Sequence, residues 1–471
     1  MTLWKCLKRL AVLVVVTIIL QIVISTKYNS VKVIRWHNNS SFTLRDDKID
    51  VVTHTNINIV SNKENATETV KVQGNKQPET PHIERHEGHN GYQLAASTFN
   101  ACANHKIPAP GAMNRVHVFL QKRLLYCPME KIGTTFWRRL FYMITSKDPS
   151  KYATPYDVPI KLALENTRVF TQPIQTAKSR NLLSESSFSF LFVRNPYSRV
   201  LSAFIDKIVP PNPYYWKNLG GKAVSIFRPN QQAQQPAMVK GRPAPRPTYP
   251  VAYDVTFGEF LKLATAMEKS NRGVDPHILS TNKGCKPCTY PYKYIGRMET
   301  FKDDALYIMK KLGMNASTEI MYEKFSYLSL YDAIEDSVES PFSWKKEVIK
   351  YISWDKALQR IWLKLQMRGI ISMDIPLALT PDRIDTITSK EFIQLALIAN
   401  KESNPTKLKE QKDLVKREAF ASVPINDVIA FRDAFKEDFE LFGYDLTPSY
   451  IFDRKEDVVQ PTLFFNYSHL N

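Results

Sequence analysis

Short apolar runs alternate with amphipathic stretches along much of the chain. "RLLYC" (Arg123–Cys127) and "FSFLFV" (Phe188–Val193) are apolar over the length of a strand, a pattern typical of strands that are buried on both faces. The run "YKYIGR", which begins at Tyr292, predicts a third strand of the same kind. Each run is followed by an amphipathic stretch of helical length, so the pattern predicts repeated strand, loop and helix units.

The helices after these strands carry start and stop signals. "TTFWRRLFYMI" from Thr134 to Ile144 places its large apolar residues at helical spacing. Pro196 can begin the helix after the second strand, which is expected to run to about Ile208. Gly313 follows "KDDALYIMKKL" and can end the third helix. Strands alternating with helices predict an α/β fold with a central parallel sheet flanked by helices.

Three further stretches are read from the same pattern. Residues 210–250 are rich in Pro, Gln and Arg and are predicted to form a long surface loop or insertion. Residues 328–418 contain amphipathic pieces such as "WDKALQRIWLKLQMRG" and predict a helical insertion. A later helix, with Asn426 placed to cap its start and Gly443 to end it, carries an apolar stripe that predicts core packing. The stripe consists of Val428, Phe431, Phe435, Phe439 and Phe442.

The N-terminal pattern predicts a membrane anchor. Residues 10–24 are apolar apart from two positions and follow three basic residues. We expect residues 10–26 to be a transmembrane signal-anchor, with a cytosolic tail at 1–9 and the rest of the chain in the lumen. A cleaved signal peptide is the alternative. The polar residues 27–97 predict a luminal stem, and residues 98–471 are expected to form the folded domain.

Composition narrows the partners without choosing among them. The chain has 64 Lys and Arg against 46 Asp and Glu, a formal net charge of +18 that attracts polyanions. Four cysteines fall on the predicted luminal side: Cys102, Cys127, Cys285 and Cys288. Four cysteines allow three disulfide pairings, which the sequence leaves open. Zinc is the rival interpretation of the "CKPC" pair, but no second pair completes four ligands.

The loop "CPMEKIGTTFW" predicts an anion site. It joins a strand to a helix start, where backbone N–H groups and the helix dipole converge. Lys131 adds a positive charge, Gly133 permits a close approach, and Thr134 and Thr135 add hydroxyl donors. The alternative is an ordinary helix cap with an exposed lysine. The nucleotide P-loop needs its lysine after the glycine, whereas here the lysine precedes it, so an ATP or GTP site is not favoured.

A second loop, "FVRNPYSRVLSAF", predicts a site for another phosphate. Arg194 leaves the strand end, and Ser202 follows eight residues later in the helix. A guanidinium and a hydroxyl brought together there suit a phosphate group. Taken alone, the Arg-Asn-Pro sequence is an ordinary strand-to-helix turn.

Together, the two loops resemble the donor site of sulfotransferases. "EKIGTTFW" resembles the loop that binds the 5′-phosphosulfate of 3′-phosphoadenosine 5′-phosphosulfate (PAPS), and "VRNPYSRVLSAF" resembles the 3′-phosphate motif. The run "HILSTNKGCKPCTYPYKYIGRMET" and the closing "FKEDFELFGYDL" are similar to the Golgi carbohydrate sulfotransferases that include chondroitin 4-O-, dermatan and glucuronyl 3-O-sulfotransferases. The resemblance covers roughly residues 100–325 and 420–446 and leaves the stem and both insertions unmatched.

This resemblance implies a P-loop-like sulfotransferase fold and a set of site residues. PAPS is the implied co-substrate, with no metal, and His277 and Lys131 are the implied catalytic residues. The implied donor-binding residues are Lys131, Ile132, Gly133, Thr134, Thr135, Phe136, Arg194 and Ser202. The chain departs from the family at Ile278, where tryptophan is usual, which weakens any assignment of the acceptor.

The predicted function is sulfuryl transfer to a glycan hydroxyl in the Golgi lumen. The positive charge favours a polyanionic glycan, and the resemblance implies an acidic glycosaminoglycan acceptor such as chondroitin or dermatan. No nucleic-acid partner is expected. A catalytically inactive luminal glycan-binding or scaffold protein with the same fold is the alternative. A glycosyltransferase is less favoured because the chain has no Asp-x-Asp sequence to hold a metal-bound sugar nucleotide.

Overall fold

The computed structural model describes most of the chain beyond residue 89. The described residues are 90–104, 115–179, 186–228, 230, 238–239, 242–243, 249–270 and 274–470. The predicted cytosolic tail, the anchor and nearly all of the stem therefore lie outside the described residues. No helix in the described part is long and apolar enough to cross a membrane.

The described residues form seven strands and twenty α-helices. The strands are β1 (Arg115–Phe119), β2 (Leu124–Cys127), β3 (Thr171–Pro173), β4 (Phe188–Val193), β5 (Met238–Val239), β6 (Arg242–Pro243) and β7 (Tyr294–Arg297). The first ten helices are α1 (Asn90–Ala101), α2 (Thr134–Thr145), α3 (Ile160–Glu165), α4 (Thr167–Phe170), α5 (Ile174–Ser179), α6 (Pro196–Lys207), α7 (Pro213–Tyr215), α8 (Lys222–Phe227), α9 (Phe257–Ser270) and α10 (Thr281–Cys285). The remaining helices are α11 (Phe301–Lys311), α12 (Asn315–Ser343), α13 (Lys345–Val348), α14 (Trp354–Met367), α15 (Pro381–Ile384), α16 (Ser389–Glu402), α17 (Pro405–Ala421), α18 (Ile425–Ala434), α19 (Lys436–Leu441) and α20 (Ser449–Phe452).

Five strands form the central sheet, in the order β3-β1-β2-β4-β7. β2, β4 and β7 are parallel, with Tyr126 opposite Phe190 and Phe190 opposite Tyr294. This parallel part confirms the α/β prediction. β1 pairs antiparallel with both β2 and β3, so one edge of the sheet differs from the all-parallel expectation.

Helices cover both faces of the sheet. All six residues of β4 are buried, as its unbroken apolar sequence predicts. On one face the Trp137 ring of α2 packs against Phe190 and Phe192, with ring centroids 4.8 and 5.1 Å apart. Cys127 belongs to the other face, where its disulfide to Cys285 attaches α10. The strand ends, from which the two motif loops emerge, are therefore held between packed layers.

Two disulfides join distant parts of the chain. Cys102 pairs with Cys288, and Cys127 pairs with Cys285. Both cysteines of the "CKPC" pair are thus disulfide-bonded and do not offer thiolates to a metal. The second bond links the last residue of β2 to the last residue of α10, next to the first motif loop.

The folded part begins earlier than the predicted boundary at residue 98. α1 starts at Asn90, and its Tyr92 ring packs edge-on against Tyr294 of β7, with centroids 5.3 Å apart. An added Cβ at Gly91 would lie 2.2 Å from the Tyr294 ring, so the helix approaches the strand closely. The polar composition around these residues predicted a stem and gave no sign of this contact.

The first part of the 210–250 segment is helical and buried, which differs from the predicted surface loop. α7, a π-helical turn over Trp216–Gly221 and α8 follow one another without a break. The Trp216 side chain is fully buried, and its Nε1 donates to the Ile208 carbonyl at 2.9 Å. The loop was predicted because this region is rich in proline. Pro213, however, occupies the first position of α7, where a proline is compatible with a helix.

Residues 328–418 are largely helical, as predicted, although α12 already begins at Asn315. These helices have an apolar cluster of their own, built from α12, α14 and α16. The C-terminal aromatic stripe is buried, which confirms it as core. The stripe is divided between α18 and α19, Pro424 rather than Asn426 is the N-cap residue, and Gly443 has a left-handed φ of 62° just after the helix.

Candidate functional site

The loop between β2 and α2 contains two residues with an uncommon backbone conformation. Lys131 and Gly133 both have a left-handed backbone, with φ values of 69° and 70°. A Cβ added at Gly133 would lie 2.3 Å from Cε2 of Phe301, so both the backbone angle and the available space require glycine here. The loop thus turns sharply and delivers Thr134 to the start of α2.

The first turn of α2 leaves backbone donors pointing out of the helix. The first intrahelical bond runs from Trp137 N to Gly133 O at 3.3 Å, so the amides of residues 134–136 precede the hydrogen-bond ladder. The N-cap residue is Gly133, which has no side chain to cap this end of α2. The Thr134 hydroxyl instead donates to the Met129 carbonyl at 2.9 Å and to Glu130 Oε2 at 3.2 Å, which stabilises the loop. Amides at a helix start that lack an intrahelical partner can bind anions.

The other predicted donor-site residues of the loop divide into buried and accessible side chains. Ile132 is fully buried and Phe136 nearly so, with its ring 5.4 Å from the Phe301 ring. Their side chains belong to the core, so only their backbone amides can serve a ligand. Thr135 is half-buried, and its hydroxyl is the accessible one of the two threonines.

Lys131 points toward α6. Its Nζ lies 2.8 Å from Asp206 Oδ2, and its side chain is 17% exposed. Burial lowers the pKa of Lys131 from 10.5 to about 8, with Asp206 acting in the opposite direction. The ammonium group is therefore charged at neutral pH and lies close to its point of deprotonation.

Asp206 lies among three ammonium groups. Lys131 and Lys207 contact its Oδ2 at 2.8 and 3.0 Å, and Lys364 contacts its Oδ1 at 2.8 Å. Burial alone would raise the pKa of Asp206, but the three lysines outweigh it and hold the pKa well below its usual range. One carboxylate facing three cations leaves an excess of positive charge beside the loop.

Arg194 reaches the same loop from the end of β4. Its Nη1 donates to the Lys131 carbonyl at 3.1 Å. Burial lowers the pKa of Arg194 to about 10, and the Glu299 carboxylate opposes the shift. Glu299 also accepts the Asn195 amide at 3.3 Å and the Tyr444 hydroxyl at 3.0 Å, so it holds the start of α6. Arg194 remains a cation at neutral pH.

Ser202 lies on the face of α6 that looks toward the loop. Arg199, Ser202 and Asp206 follow at spacings of three and four, which places them on one helical face. Arg199 contacts the Glu130 carbonyl and Asp206 contacts Lys131, so this face is the one directed at the loop. Ser202 is half-buried between them.

Arg199 joins the loop to the segment that carries His277. The side chain is 3% exposed. Its Nε donates to the Glu130 carbonyl at 3.0 Å, Nη2 to the Pro276 carbonyl at 3.2 Å, and Nη1 to the Leu279 carbonyl. The sequence alone did not assign Arg199 this role, since an arginine inside a helix is more often solvated. The clamp brings His277 to the same site.

His277 forms a dyad with Asp275. Its Nδ1 lies 2.6 Å from Asp275 Oδ1, and the Tyr215 ring packs edge-on against the imidazole at 5.4 Å. Burial raises the pKa of Asp275, but its bonds to His277 dominate and lower it below the usual range. An ionised carboxylate only accepts, so Nδ1 is the donor and Nε2 of the neutral ring is left as an acceptor. Asp275 has no motif that would have identified it.

Glu130 completes the electrostatics of the loop. It forms an ion pair with Arg138. Burial would raise the pKa of Glu130, but the surrounding cationic side chains, Arg138 foremost, outweigh burial and lower it to about 2. Arg138 is therefore neutralised by Glu130. Among the described residues no group of three or more His, Cys, Asp and Glu side chains is placed to hold a metal ion.

Comparison with known proteins identifies relatives with a common activity. Carbohydrate sulfotransferase 9 of Homo sapiens is 26% identical over 234 residues, covering 48% of this chain and 47% of that protein. Carbohydrate sulfotransferase 11 of Rattus norvegicus is 26% identical over 212 residues, with 45% and 56% covered. Carbohydrate sulfotransferase 14 of Danio rerio is 25% identical over 193 residues, with 41% and 47% covered.

The chain spans about half the length of these curated relatives. No solved structure matches it. A model of the sulfotransferase family matches residues 114–362, which is more than half of the 471 residues and includes both motif loops and the His277 segment. Together with the parallel sheet and the two loops at its edge, this match shows that the chain belongs to the sulfotransferase family.

Proposed function

We propose that this protein transfers a sulfuryl group from PAPS to a hydroxyl group of a glycan. One observation carries the proposal. Lys131, Arg194 and the Ser202 face of α6 all lie at the start of α2, where backbone N–H groups have no intrahelical partner. Family membership and the similarity to carbohydrate sulfotransferases support the same reaction.

The residues present suit the two anionic ends of PAPS. The amides of residues 134–136, the Thr135 hydroxyl and the Lys131 ammonium group would hold the 5′-phosphosulfate. Arg194 and Ser202 would hold the 3′-phosphate, which distinguishes this donor from adenosine 5′-phosphosulfate. Arg194 donates one guanidinium N–H to the Lys131 carbonyl and has further N–H groups for a phosphate.

The reaction needs an in-line displacement at sulfur and no covalent bond to the protein. The acceptor oxygen forms the new S–O bond while the bond between sulfur and the 5′-phosphate oxygen breaks. His277 Nε2 would accept the proton of the acceptor hydroxyl, and Asp275 would stabilise the imidazolium that forms. Lys131 would neutralise the charge that develops on the departing phosphate oxygen. The products are the sulfated glycan and 3′-phosphoadenosine 5′-phosphate (PAP).

For the acceptor we propose an acidic glycosaminoglycan of the chondroitin or dermatan class. The formal charge of +18 and the excess of lysine around Asp206 support a polyanion. We further propose that residues 10–26 anchor the protein in the Golgi membrane, with the catalytic domain in the lumen. This location would supply both the oxidising compartment for the two disulfides and the glycan.

The proposal is tested with a secreted form of the protein that lacks the predicted anchor, called the secreted domain below. It is incubated with labelled PAPS and a panel of chondroitin, dermatan, heparan and glucuronyl-terminated glycans. Disaccharide analysis then identifies the modified sugar. We expect label on a glycan with wild-type protein and none with Lys131→Ala or Arg194→Ala. Binding of glycan and of PAP without any transfer would favour the inactive glycan-binding alternative instead. Retained transfer in either variant would overturn the site assignment.

A further inference from the structure

The ion cluster at Asp206 draws a residue from the C-terminal helices into the candidate site. Lys364 lies in α14 and contacts Asp206 Oδ1 at 2.8 Å, while Lys131 contacts Oδ2 of the same carboxylate at 2.8 Å. Lys364 is 3% exposed, so this contact is shielded from solvent. Lys364 lies two residues beyond the family match, which ends at residue 362. It also lies inside the segment that the motif resemblance leaves unmatched.

α14 is held firmly enough to serve as a support. Arg360 is fully buried and donates to the Val209 and Ile208 carbonyls at 2.7 and 3.1 Å, just beyond the end of α6. One turn past Lys364, Arg368 donates to Ala333 O at 3.0 Å and to the Ser337 hydroxyl at 2.8 Å on α12.

Arg360 and Lys364 lie in α14 and Arg368 is its C-cap residue, and their spacing of four residues aligns the three side chains along one face. The outer two anchor the helix to α6 and α12, which fixes the ammonium group of the middle one at Asp206. This face therefore combines structural anchoring with a charge directed at the site.

We propose that Lys364 is a positioning residue for Lys131 and acts through Asp206. By holding one carboxylate oxygen it fixes the orientation of the other toward Lys131. Lys364 also offsets part of the negative charge of Asp206. Asp206 therefore binds the Lys131 ammonium group less tightly, and Lys131 can contact an anionic donor when the donor binds. The role of Lys364 in turnover rests on the proposed function, whereas its effect on Lys131 does not.

The charged groups around Lys131 fix the sign of the expected effect. Asp206 favours the charged form of Lys131, and Lys207 and Arg368 disfavour it. Lys364 adds a further cation, on the other oxygen of Asp206. Replacing Lys364 by a neutral residue removes a nearby positive charge, so Asp206 attracts the Lys131 ammonium group more strongly. The pKa of Lys131 should then rise by about one unit, as expected for one neighbouring charge. Below its pKa, Lys131 then has about tenfold less free amine.

The experiment measures the reactivity of Lys131 directly. The full-length wild-type protein, Lys364→Met and the control Lys401→Met are pulse-labelled with acetic anhydride over a pH series, and the Lys131 peptide is quantified by mass spectrometry. Lys401 is exposed at the end of α16, so its variant removes the same charge far from the described contacts of Asp206. We expect labelling of Lys131 to fall about tenfold in Lys364→Met and to stay at the wild-type rate in Lys401→Met.

Turnover with PAPS supplies the second readout. We expect kcat/KM for PAPS to fall roughly tenfold in Lys364→Met, which corresponds to losing one hydrogen bond between charged groups. Labelling of Lys131 equal to wild type in Lys364→Met would overturn the proposal, even if turnover fell, because loss of a purely structural lysine would produce that pattern. If the full-length wild-type protein showed no turnover, the proposed function would fail while the labelling result stood. Should Lys364→Met not fold, Lys364→Gln provides the same test.

Discussion

Replacing Gly133 by alanine tests how the loop is built. At φ 70° alanine costs about 1–2 kcal/mol relative to glycine. The new Cβ would also lie 2.3 Å from Cε2 and 2.8 Å from Cζ of Phe301. That ring is confined by Phe136 and Phe192, with centroids at 5.4 and 5.2 Å, so it cannot swing away freely. Overpacking of this kind adds roughly 1–3 kcal/mol.

We therefore expect Gly133→Ala to lower the free energy of unfolding by about 2–5 kcal/mol. Urea titrations of the secreted domain, followed by circular dichroism, measure this value. Gly313→Ala is the matched control, since Gly313 has φ 77° but nothing within 4 Å of an added Cβ. Its cost should be the backbone part alone, about 1–2 kcal/mol. Phe301→Leu should recover part of the loss in Gly133→Ala. Equal costs at the two glycines would refute the close packing of Phe301 on the loop.

Three further outcomes follow from the site. Burial lowers the pKa of Lys131 to about 8. If its charged form binds the donor, as we propose, kcat/KM for PAPS should fall as pH rises through about 8, as a pH–rate profile of the free enzyme would record. Asp275→Asn should lower kcat roughly tenfold or more while leaving the KM for PAPS near wild type, as steady-state kinetics would measure. Removing the Cys127–Cys285 disulfide with a double alanine variant should cost about 2–5 kcal/mol of stability in urea titrations and weaken binding of PAP measured by calorimetry.

The disulfide and pH predictions each have a contrasting result. Removing the Cys102–Cys288 disulfide, which closes a loop of similar length, should cost comparable stability but change donor binding less, because it does not touch the β2–α2 loop. Equal losses of PAP affinity in the two disulfide variants would contradict a specific role for the bond at Cys127. A flat pH profile between pH 7 and about 9 would contradict the assignment of Lys131 as the titrating donor contact.

Local patterns in the sequence predicted much of the fold. Phe188–Val193 was assigned as a strand with its observed bounds, because a strand buried on both faces is apolar throughout. The helix from Pro196 ends at Lys207, within one residue of its predicted end. The antiparallel strands β1 and β3 carry no comparable signal. The burial of Trp216 was not predicted because the surrounding prolines suggested a loop. A proline can instead begin a helix when it occupies the first helical position.

The candidate site was predictable to the extent that it lies in contiguous motifs. Lys131 and Arg194 each stand in a loop after a strand, and parallel strands bring such loops to one edge of the sheet. The partnership of Asp206 with Lys364 spans 158 residues and depends on how α14 packs, which no local pattern encodes. The clamp formed by Arg199 was missed for a related reason, since only the fold shows which carbonyls a buried guanidinium meets.

The most direct test of the central claim is a calorimetric comparison of PAP with AMP, which lacks the 3′-phosphate, on the secreted domain and on Arg194→Ala. We expect PAP to bind the wild-type domain at least about tenfold more tightly than AMP, since hydrogen bonds to charged groups contribute roughly 1.5–3 kcal/mol. Arg194→Ala should remove most of that preference. Equal affinities of PAP and AMP for the wild-type domain would contradict a donor site formed by the two loops.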